Sequence, residues 1–225
     1  MITFDKVTKK FPLGNLGLDE ASFDIEENEF VFLVGPSGAG KTTILKLITK
    51  ELATTTGSII VDDLDITANH FSELISLRRK IGVVFQDFKI LTDKNVYENI
   101  ALSLKVINFP ATQIRQEVKK ALSFVNLSQK EKVFPSQLSA GELQRVTIAR
   151  ALIGERKIIL ADEPTGNLDP KTSWEIMKIF KKIEGKKTVL FATHNTDIVN
   201  SLQKRVLILK EGRLTKDLRK GSYEL

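Results

Sequence analysis

Near the start of the chain, a run of residues has the types and spacing needed to hold phosphate. It fits the pattern G-x-x-x-x-G-K-[ST] and reads Gly35, Pro36, Ser37, Gly38, Ala39, Gly40, Lys41 and Thr42. The apolar residues 30–34 before it predict a buried strand, and residues 42–48 predict a helix. Glycines let successive N–H groups face one anion, and a helix N-terminus adds partial positive charge. We therefore predict a phosphate loop, in which Lys41 contacts the β- and γ-phosphates and Thr42 ligates Mg²⁺. The alternative is an ordinary glycine-rich turn.

A second apolar run, residues 158–162, ends in the acids Asp162 and Glu163. Continuous apolar residues are typical of a central parallel strand, and open α/β sheets bind ligands at the carboxyl ends of strands. Asp162 is therefore predicted to organise Mg²⁺ and its waters, and Glu163 to polarise an attacking water. The alternative is a pair of solvated acids without a ligand.

A capping-box pattern, Ser139 with Glu142, precedes a helix predicted to run to about Leu152. The positive end of that helix, with Ser139 and the Gly141 backbone, is suited to bind phosphate oxygens. The alternative is a well-capped helix with no further role.

Composition restricts the other possibilities. The chain has 225 residues, of which 42% are hydrophobic, so it can bury an extensive core. It contains no cysteine, which excludes a disulfide, a thiol nucleophile and a thiolate metal site. No apolar run approaches the length of a membrane span. The net charge of +6 comes as short lysine pairs without an arginine-rich arm, so direct nucleic-acid binding is not expected.

Strand-like and helical patterns alternate along the chain, which predicts an α/β fold. Further strands are expected at residues 81–85, 188–192 and 205–209, whereas the strand signal is missing from about 96 to 152. We expect a single domain, 1–225, with a sheet core at about 1–86 and 156–225. A helical subdomain at about 87–155 interrupts that core.

Together, these motifs resemble the ATP-binding cassettes of ABC transporters. The resemblance covers nearly the whole chain and rests, in the family's order, on the phosphate loop, Gln86, residues 138–142, Asp162-Glu163, residues 167–169 and His194. It implies a P-loop NTPase fold with a parallel-sheet core, an antiparallel N-terminal β region and an inserted helical subdomain. It also implies an Mg²⁺-dependent ATPase that forms an ATP-dependent homodimer. Each nucleotide would lie between the phosphate loop of one copy and the Ser139 region of the other.

The resemblance also implies roles for residues that the motifs leave open. Phe11 would stack on adenine, Thr43 would join the nucleotide-binding loop, and His194 would contact the γ-phosphate. Asp169 would lie at the dimer interface. Without the resemblance, Phe11 is equally an aromatic of the core, and His194 a hydrogen-bonded structural residue.

Gln86 has two implied roles. It would ligate Mg²⁺ together with Thr42 and Asp162, and it would link the nucleotide to a membrane partner. The segment from Asp87 to Asn99 mixes charges with apolar residues, as expected of a groove that receives a partner helix. The alternative is that these apolar residues pack the subdomain core, which we expect for about half of them. They are Phe88, Ile90, Leu91, Val96 and Tyr97.

Within the family, the chain most resembles the FtsE group of cell-division cassettes, through residues 85–91, 96–100 and 162–169. This implies an FtsX-like integral membrane subunit, a peripheral location on the cytoplasmic face of the inner membrane, and control of cell-wall hydrolases. Cassettes of lipoprotein-release and macrolide-export transporters share residues 162–169, so a subunit of such a transporter is the alternative. A soluble ABC ATPase acting on nucleic acid and a nucleotide-gated scaffold are further alternatives.

One residue departs from the family pattern, because Ala140 stands where the signature usually has glycine. Its methyl group adds bulk where phosphate would approach, and alanine disfavours a positive φ. We therefore expect Ala140 to weaken dimer closure, by about 1 kcal/mol if a positive φ or a close approach of phosphate is needed there.

Overall fold

The computed structural model describes residues 1–221, so the end of the predicted sheet core, residues 222–225, lies outside it. Its strands are β1 (Ile2–Lys10), β2 (Leu16–Ile25), β3 (Phe30–Val34), β4 (Thr56–Val61), β5 (Leu64–Asp65), β6 (Ile81–Val84), β7 (Ile158–Asp162), β8 (Thr188–Thr193), β9 (Arg205–Lys210) and β10 (Arg213–Leu218). Its α-helices are α1 (Lys41–Ile48), α2 (Leu74–Lys80), α3 (Val96–Lys105), α4 (Ala111–Phe124), α5 (Ala140–Leu152), α6 (Pro170–Ile183) and α7 (Thr196–Leu202). None of these helices is both long and apolar enough to cross a bilayer.

The chain forms two compact units, one of Met1–Arg78 with the residues from Glu184 onward, the other of Arg79–Ile183. In the first unit, the N-terminal strands form an antiparallel sheet in the order β2-β1-β4-β5. Alternate side chains of these strands point to one face, where Phe4 and Phe23 stack with ring centroids 4.5 Å apart. The expected antiparallel N-terminal β region is confirmed.

The first unit also contains parallel strands. β3 lies between β8 and β9 and is parallel to both, while β10 pairs antiparallel with β9. Every residue of β3 and β8 is buried, as expected of central strands covered on both faces. Phe32 anchors this core, with its ring centroid 5.2 Å from that of Phe30 and 5.4 Å from that of Phe191. The expected strands at 30–34, 188–192 and 205–209 are confirmed.

The second unit combines a parallel strand pair, β6 and β7, with helices α3 to α6. α5 packs against β6, α3, α4 and α6. The close approach of α5 requires Gly82 in β6, because a Cβ there would lie 2.0 Å from the Ala151 carbonyl oxygen. The expected strands at 81–85 and 158–162 and the helical run from 96 to 152 are confirmed, and the expected α/β fold class with them.

Candidate functional site

The predicted phosphate loop lies between the end of β3 and the start of α1, in the first unit. Gly35 and Gly40 have φ of 154° and 108°. A Cβ at Gly35 would lie 2.3 Å from the Leu209 carbonyl oxygen, and a Cβ at Gly40 would lie 2.6 Å from that of Gly17. Only glycine therefore fits at these two positions. A Cβ at Gly38, by contrast, would meet no atom within 4 Å, so the middle of the loop is open.

Lys41 is the first residue of α1 and is only 6% exposed. Its Nζ donates to the carbonyl oxygens of Gly35 at 2.6 Å and Pro36 at 3.2 Å, so the ammonium lies beneath the loop. Thr42 is exposed and Thr43 half-buried. No acidic residue occupies the first turn of α1, so the positive end of the helix is not neutralised by a side chain there.

Phe11 directly follows β1, in a turn closed by a hydrogen bond of 2.9 Å from its N–H to the Asn15 carbonyl. The Phe11 ring lies near the start of α1. A Cβ at Gly17 would be 2.6 Å from Phe11 Cε2 and 3.2 Å from Thr43 Cγ2. The structure therefore brings this half-buried aromatic together with the phosphate loop helix.

His194 follows β8, and its side chain is exposed. In the parallel register of β3 and β8, Val34 is opposite Thr193. Gly35 and His194 are therefore the next residues at the same edge of the sheet. Asn195 fixes the turn, since its Oδ1 accepts the Ile198 N–H at 3.1 Å and caps α7.

In the second unit, the carboxyl ends of β6 and β7 bring Gln86 and Glu163 together. Val84 is opposite Ala161, so both strands end at one edge. A Cβ at Gly166 would be 3.3 Å from Gln86 Nε2 and 3.6 Å from the Glu163 Cβ. Asp162 is the last residue of β7 and is half-buried.

Glu163 has φ of 46°, in the left-handed region that non-glycine residues rarely adopt. Its carbonyl oxygen accepts the Gly166 N–H at 3.0 Å, which closes the turn after β7. Such strained residues cost about 1–3 kcal/mol and cluster at functional sites. The turn therefore holds the Glu163 backbone at the sheet edge in a conformation that costs stability.

Asn167, for which the sequence predicts no role of its own, also contributes to the site. Its Nδ2 donates to the Gln86 carbonyl oxygen at 3.3 Å, and its Oδ1 accepts from Gln86 Nε2 at 3.4 Å. Asn167 thus restrains both the backbone and the side chain of Gln86. The sequence signals for it are its place among residues 167–169, which carry the family resemblance, and its amide in the turn that follows the two acids.

Ser139 and Glu142 form the predicted capping box at the start of α5. Ser139 N–H donates to Glu142 Oε2 at 3.0 Å, and Glu142 N–H donates to Ser139 Oγ at 3.3 Å. The hydrogen bond from the Ser139 N–H, with a contribution from Lys130, holds the pKa of Glu142 below its usual value. The serine is exposed at the helix end.

The premise that Ala140 is placed against its preferred backbone conformation is wrong. Ala140 is the first residue of α5, where φ is helical, and its side chain is exposed. Alanine fits this position without strain.

Gly141 has a packing reason to be glycine, because a Cβ there would lie 2.4 Å from Thr172 Cγ2 in α6. This contact brings the N-termini of α5 and α6 together. Asp169 caps α6: its Oδ1 accepts the Thr172 N–H at 3.1 Å, and hydrogen bonds from Thr172 lower its pKa. Ser139, Gly141 and Asp169 therefore belong to one cluster of helix ends.

A groove with a volume of about 410 Å³ lies in the second unit, between β6 and helices α3 and α5. Of the apolar residues in the segment 87–99, Val96 is fully buried, Leu91 is 40% exposed, and the other three are half-buried. On α3, Leu102 lines the groove at 40% exposure, and Val106, which directly follows the helix, is 71% exposed. Several apolar residues of this segment are therefore only partly buried in the core.

Comparison with known proteins agrees with this geometry. The family described as "ABC transporter" matches residues 18–166. The cell division ATP-binding protein FtsE of Bacillus subtilis is 45% identical, over 99% of this chain and 98% of its own length. That of Mycobacterium tuberculosis is 43% identical, over 99% and 98%. A solved structure, the ATP-binding cassette MJ0796 in a dimeric post-hydrolysis state bound to ADP and Pi, matches with a TM-score of 0.88 at 33% identity, covering 99% of this chain and 100% of that one. The chain therefore belongs to the ABC transporter family, as an ATP-binding cassette of the ATP-hydrolysing kind that is similar to the FtsE proteins over nearly its whole length.

Proposed function

We propose that this chain is the ATP-hydrolysing subunit of an FtsEX-type membrane complex, which acts in cell division by controlling cell-wall hydrolases. The observation that carries the proposal is the phosphate loop, with its buried lysine and its open centre. The similarity to FtsE proteins along both full lengths supports the cell-division role. In this proposal the whole chain acts as one cassette, with the sheet core and helical subdomain expected from the sequence.

ATP binds at the start of α1 in this proposal. The backbone N–H groups of the loop and the helix end bind the β- and γ-phosphates, and a phosphate oxygen competes for the Lys41 ammonium. The position of Phe11 beside α1 suits it to stack on adenine. The nucleotide-binding residues are Phe11, Gly35, Pro36, Ser37, Gly38, Ala39, Gly40, Lys41, Thr42 and Thr43.

Hydrolysis in this proposal uses Glu163 to orient the attacking water and His194 to contact the γ-phosphate. The hydroxyl of Thr42, the amide oxygen of Gln86 and the carboxylate of Asp162 are oxygen donors of the kind that Mg²⁺ prefers. When bound, Mg²⁺ neutralises negative charge on the phosphates. Asn167 would hold Gln86 ready for the metal. No cluster of three His, Cys, Asp or Glu side chains that could hold a metal occurs in residues 1–221, so we expect the phosphates and water to complete the coordination.

Dimerisation brings the second half of the site from another copy. The cluster of helix ends at Ser139, Gly141 and Asp169 presents backbone N–H groups and a capping hydroxyl near the surface. A phosphate bound to one copy would complete its contacts at this cluster of the other copy. The dimeric state of the similar MJ0796 cassette supports this assignment.

The membrane partner would be an FtsX-like integral subunit that docks from the cytoplasmic side, so that this chain is peripheral to the inner membrane. The groove of the second unit, beside Leu91 and Leu102, is the proposed docking surface. Lys89 and Lys94 lie at its exposed segment, where their side chains pair with neighbouring exposed acids, Asp87 and Asp93. These charges are therefore accessible to a partner.

Copurification from detergent-solubilised native membranes tests the proposal. The wild-type chain should retain an FtsX-like membrane protein. Lys89→Glu with Lys94→Glu should reduce its recovery at least about tenfold, while ATP affinity stays unchanged. Lys119→Glu with Lys120→Glu, on the exposed side of α4, is the matched control. If a lipoprotein-release or macrolide-export permease is recovered instead, that permease replaces the proposed partner. If the Lys89 and Lys94 double variant recovers normal amounts of the membrane protein, the docking surface lies elsewhere.

A further inference from the structure

Directly after Gln86, the chain makes a turn that ordinary residues rarely make. Phe88 and Lys89 have φ of 58° and 47°, so two consecutive non-glycine residues are left-handed. The Lys89 N–H donates to the Asp87 carbonyl oxygen at 2.6 Å, which closes a three-residue turn around Phe88. A γ-turn with positive φ at its centre is the strained form, and each left-handed residue costs about 1–2 kcal/mol. Something in the structure must hold this turn in place.

The guanidinium of Arg150, near the end of α5, contacts both carbonyl groups of the turn. Its Nη1 donates to the Lys89 oxygen at 2.6 Å and its Nη2 to the Phe88 oxygen at 2.9 Å. Two parallel donors on one rigid plane fix the direction of both carbonyls, which the single ammonium of a lysine cannot do. Burial lowers the pKa of Arg150, yet arginine stays charged at any physiological pH.

The rest of the segment is fixed by a different residue. Asn99, 1% exposed, accepts the Leu91 N–H at 2.9 Å and donates to the Leu91 and Lys94 carbonyl oxygens at 3.0 Å each. Asn99 thus holds the second half of the segment, and Arg150 holds the half that adjoins Gln86. The side chain of Lys89, which pairs with Asp87 at 2.9 Å, is carried by the same turn.

We infer that Arg150 is a positioning residue, which keeps the strained turn at Phe88 and Lys89 closed and thereby holds Gln86 and the edge of the groove in register with α5. Because Ser139 caps the other end of α5, this helix joins the cluster of helix ends to the turn behind Gln86. A movement of α5 on dimerisation would reach the groove through Arg150. This last consequence rests on the proposed function, whereas the clamp itself does not.

Hydrogen exchange measured by mass spectrometry on the purified chain tests the clamp without requiring ATP hydrolysis. Arg150→Lys keeps the charge but loses the paired hydrogen bonds of the guanidinium. Amides in residues 87–92 should therefore exchange at least about tenfold faster, while the exchange rates of α4 stay unchanged. Arg115→Lys, an exposed arginine on α4, is the control and should alter neither segment. Adding Lys89→Gly to Arg150→Lys should restore much of the protection, because glycine adopts a left-handed φ without strain.

A second readout connects the clamp with catalysis. Arg150→Lys should lower the single-turnover rate of ATP hydrolysis about tenfold and leave ATP affinity within about twofold. The reason is that the variant displaces Gln86 but does not remove it or any nucleotide-binding residue. Three results would each overturn the inference. The Arg150→Lys variant could leave amide exchange in residues 87–92 unchanged, or it could raise the exchange rate equally throughout the second unit. Alternatively, adding Lys89→Gly could restore no protection. A wild-type chain that binds but does not hydrolyse ATP would contradict the proposed function. The hydrogen-exchange result would still show whether Arg150 holds the turn.

Discussion

At the scale of single residues, the backbone of the site is strained where chemistry is expected. Glu163 is held at φ 46°, and Phe88 and Lys89 behind Gln86 are also left-handed. Strain of this kind persists only when surrounding contacts enforce it. Here the contacts are the hydrogen bond from the Gly166 N–H to the Glu163 oxygen and the Arg150 fork.

Glu163→Gln should preserve ATP binding and slow hydrolysis by about 10²–10⁴-fold, because the amide has nearly the same shape but cannot accept a proton from water. Single-turnover hydrolysis and equilibrium ATP binding on purified protein measure the two quantities separately. Glu27→Gln, an exposed carboxylate in the turn before β3, is the control. Equal rates for wild type and Glu163→Gln would remove Glu163 from the mechanism.

Ala140→Gly should lower the free energy of unfolding by less than the roughly 0.5–1 kcal/mol that glycine costs relative to alanine in the middle of a helix, because Ala140 is the first residue of α5. The position is helical and exposed, so nothing is gained by adding conformational freedom. Urea unfolding measures the change, and ATP turnover should stay within about twofold. A clear rise in turnover would confirm the expectation that the methyl group obstructs dimer closure.

At the scale of the elements, two helices of the second unit begin with the same device. α3 starts with Asn95 and Glu98, and α5 starts with Ser139 and Glu142, each pair forming a reciprocal capping box. Equivalent caps make these helices a natural comparison, because only the α5 end belongs to the proposed dimer site.

Asn95→Ala and Ser139→Ala should each lower the free energy of unfolding by about 1 kcal/mol through the lost cap. Only Ser139→Ala should also weaken ATP-driven dimerisation, since its hydroxyl is proposed to contact phosphate. Urea unfolding and light scattering with Mg-ATP check the two effects. Equal dimerisation by both variants would leave Ser139 with a capping role alone.

Acid should remove a contribution of Glu142 to stability. Its pKa is lowered in the folded chain by the hydrogen bond from the Ser139 N–H, so the carboxylate stabilises the fold above the usual glutamate pKa. This stabilisation is lost as the pH falls below about 4.3 and through the lower folded value. Compared with Glu142→Gln across pH 7 to 3, the wild type should lose its advantage in that range. A constant difference would mean that the charge contributes nothing.

Sequence patterns predict some of the elements and leave out others, among them α6, although its 14 residues bury positions at helical spacing. The strands β3, β7 and β8, each built on a continuous apolar run, and the capping box of α5 are predicted by local pattern. Helices α2 and α7, of seven residues each, are too short for helical periodicity to be recognised.

Part of the candidate site could not be predicted for a different reason. The pairing of Gln86 with Asn167 and the contact of Arg150 with the turn at Lys89 join residues 81 and 61 positions apart. Their partners are backbone carbonyls or amides with no sequence signature. The strained φ of Glu163 is likewise a product of the tertiary structure, because glutamate has no intrinsic preference for it.

At the scale of the whole molecule, each copy contains a phosphate loop and a separate cluster of helix ends. In the proposed mechanism, ATP joins the loop of one copy to the cluster of the other, and hydrolysis releases them. Binding and hydrolysis therefore become visible as a change of molecular mass, which does not depend on the membrane partner.

Multi-angle light scattering of wild type and Glu163→Gln with Mg-ATP measures whether ATP joins two copies and whether hydrolysis releases them. Without nucleotide, both should have the mass of a monomer, 25.2 kDa. With Mg-ATP, Glu163→Gln should accumulate as a dimer because hydrolysis no longer releases it, and Lys41→Ala added to it should return the mass to that of a monomer. A Glu163→Gln chain that remains monomeric with saturating Mg-ATP at high protein concentration would contradict the account.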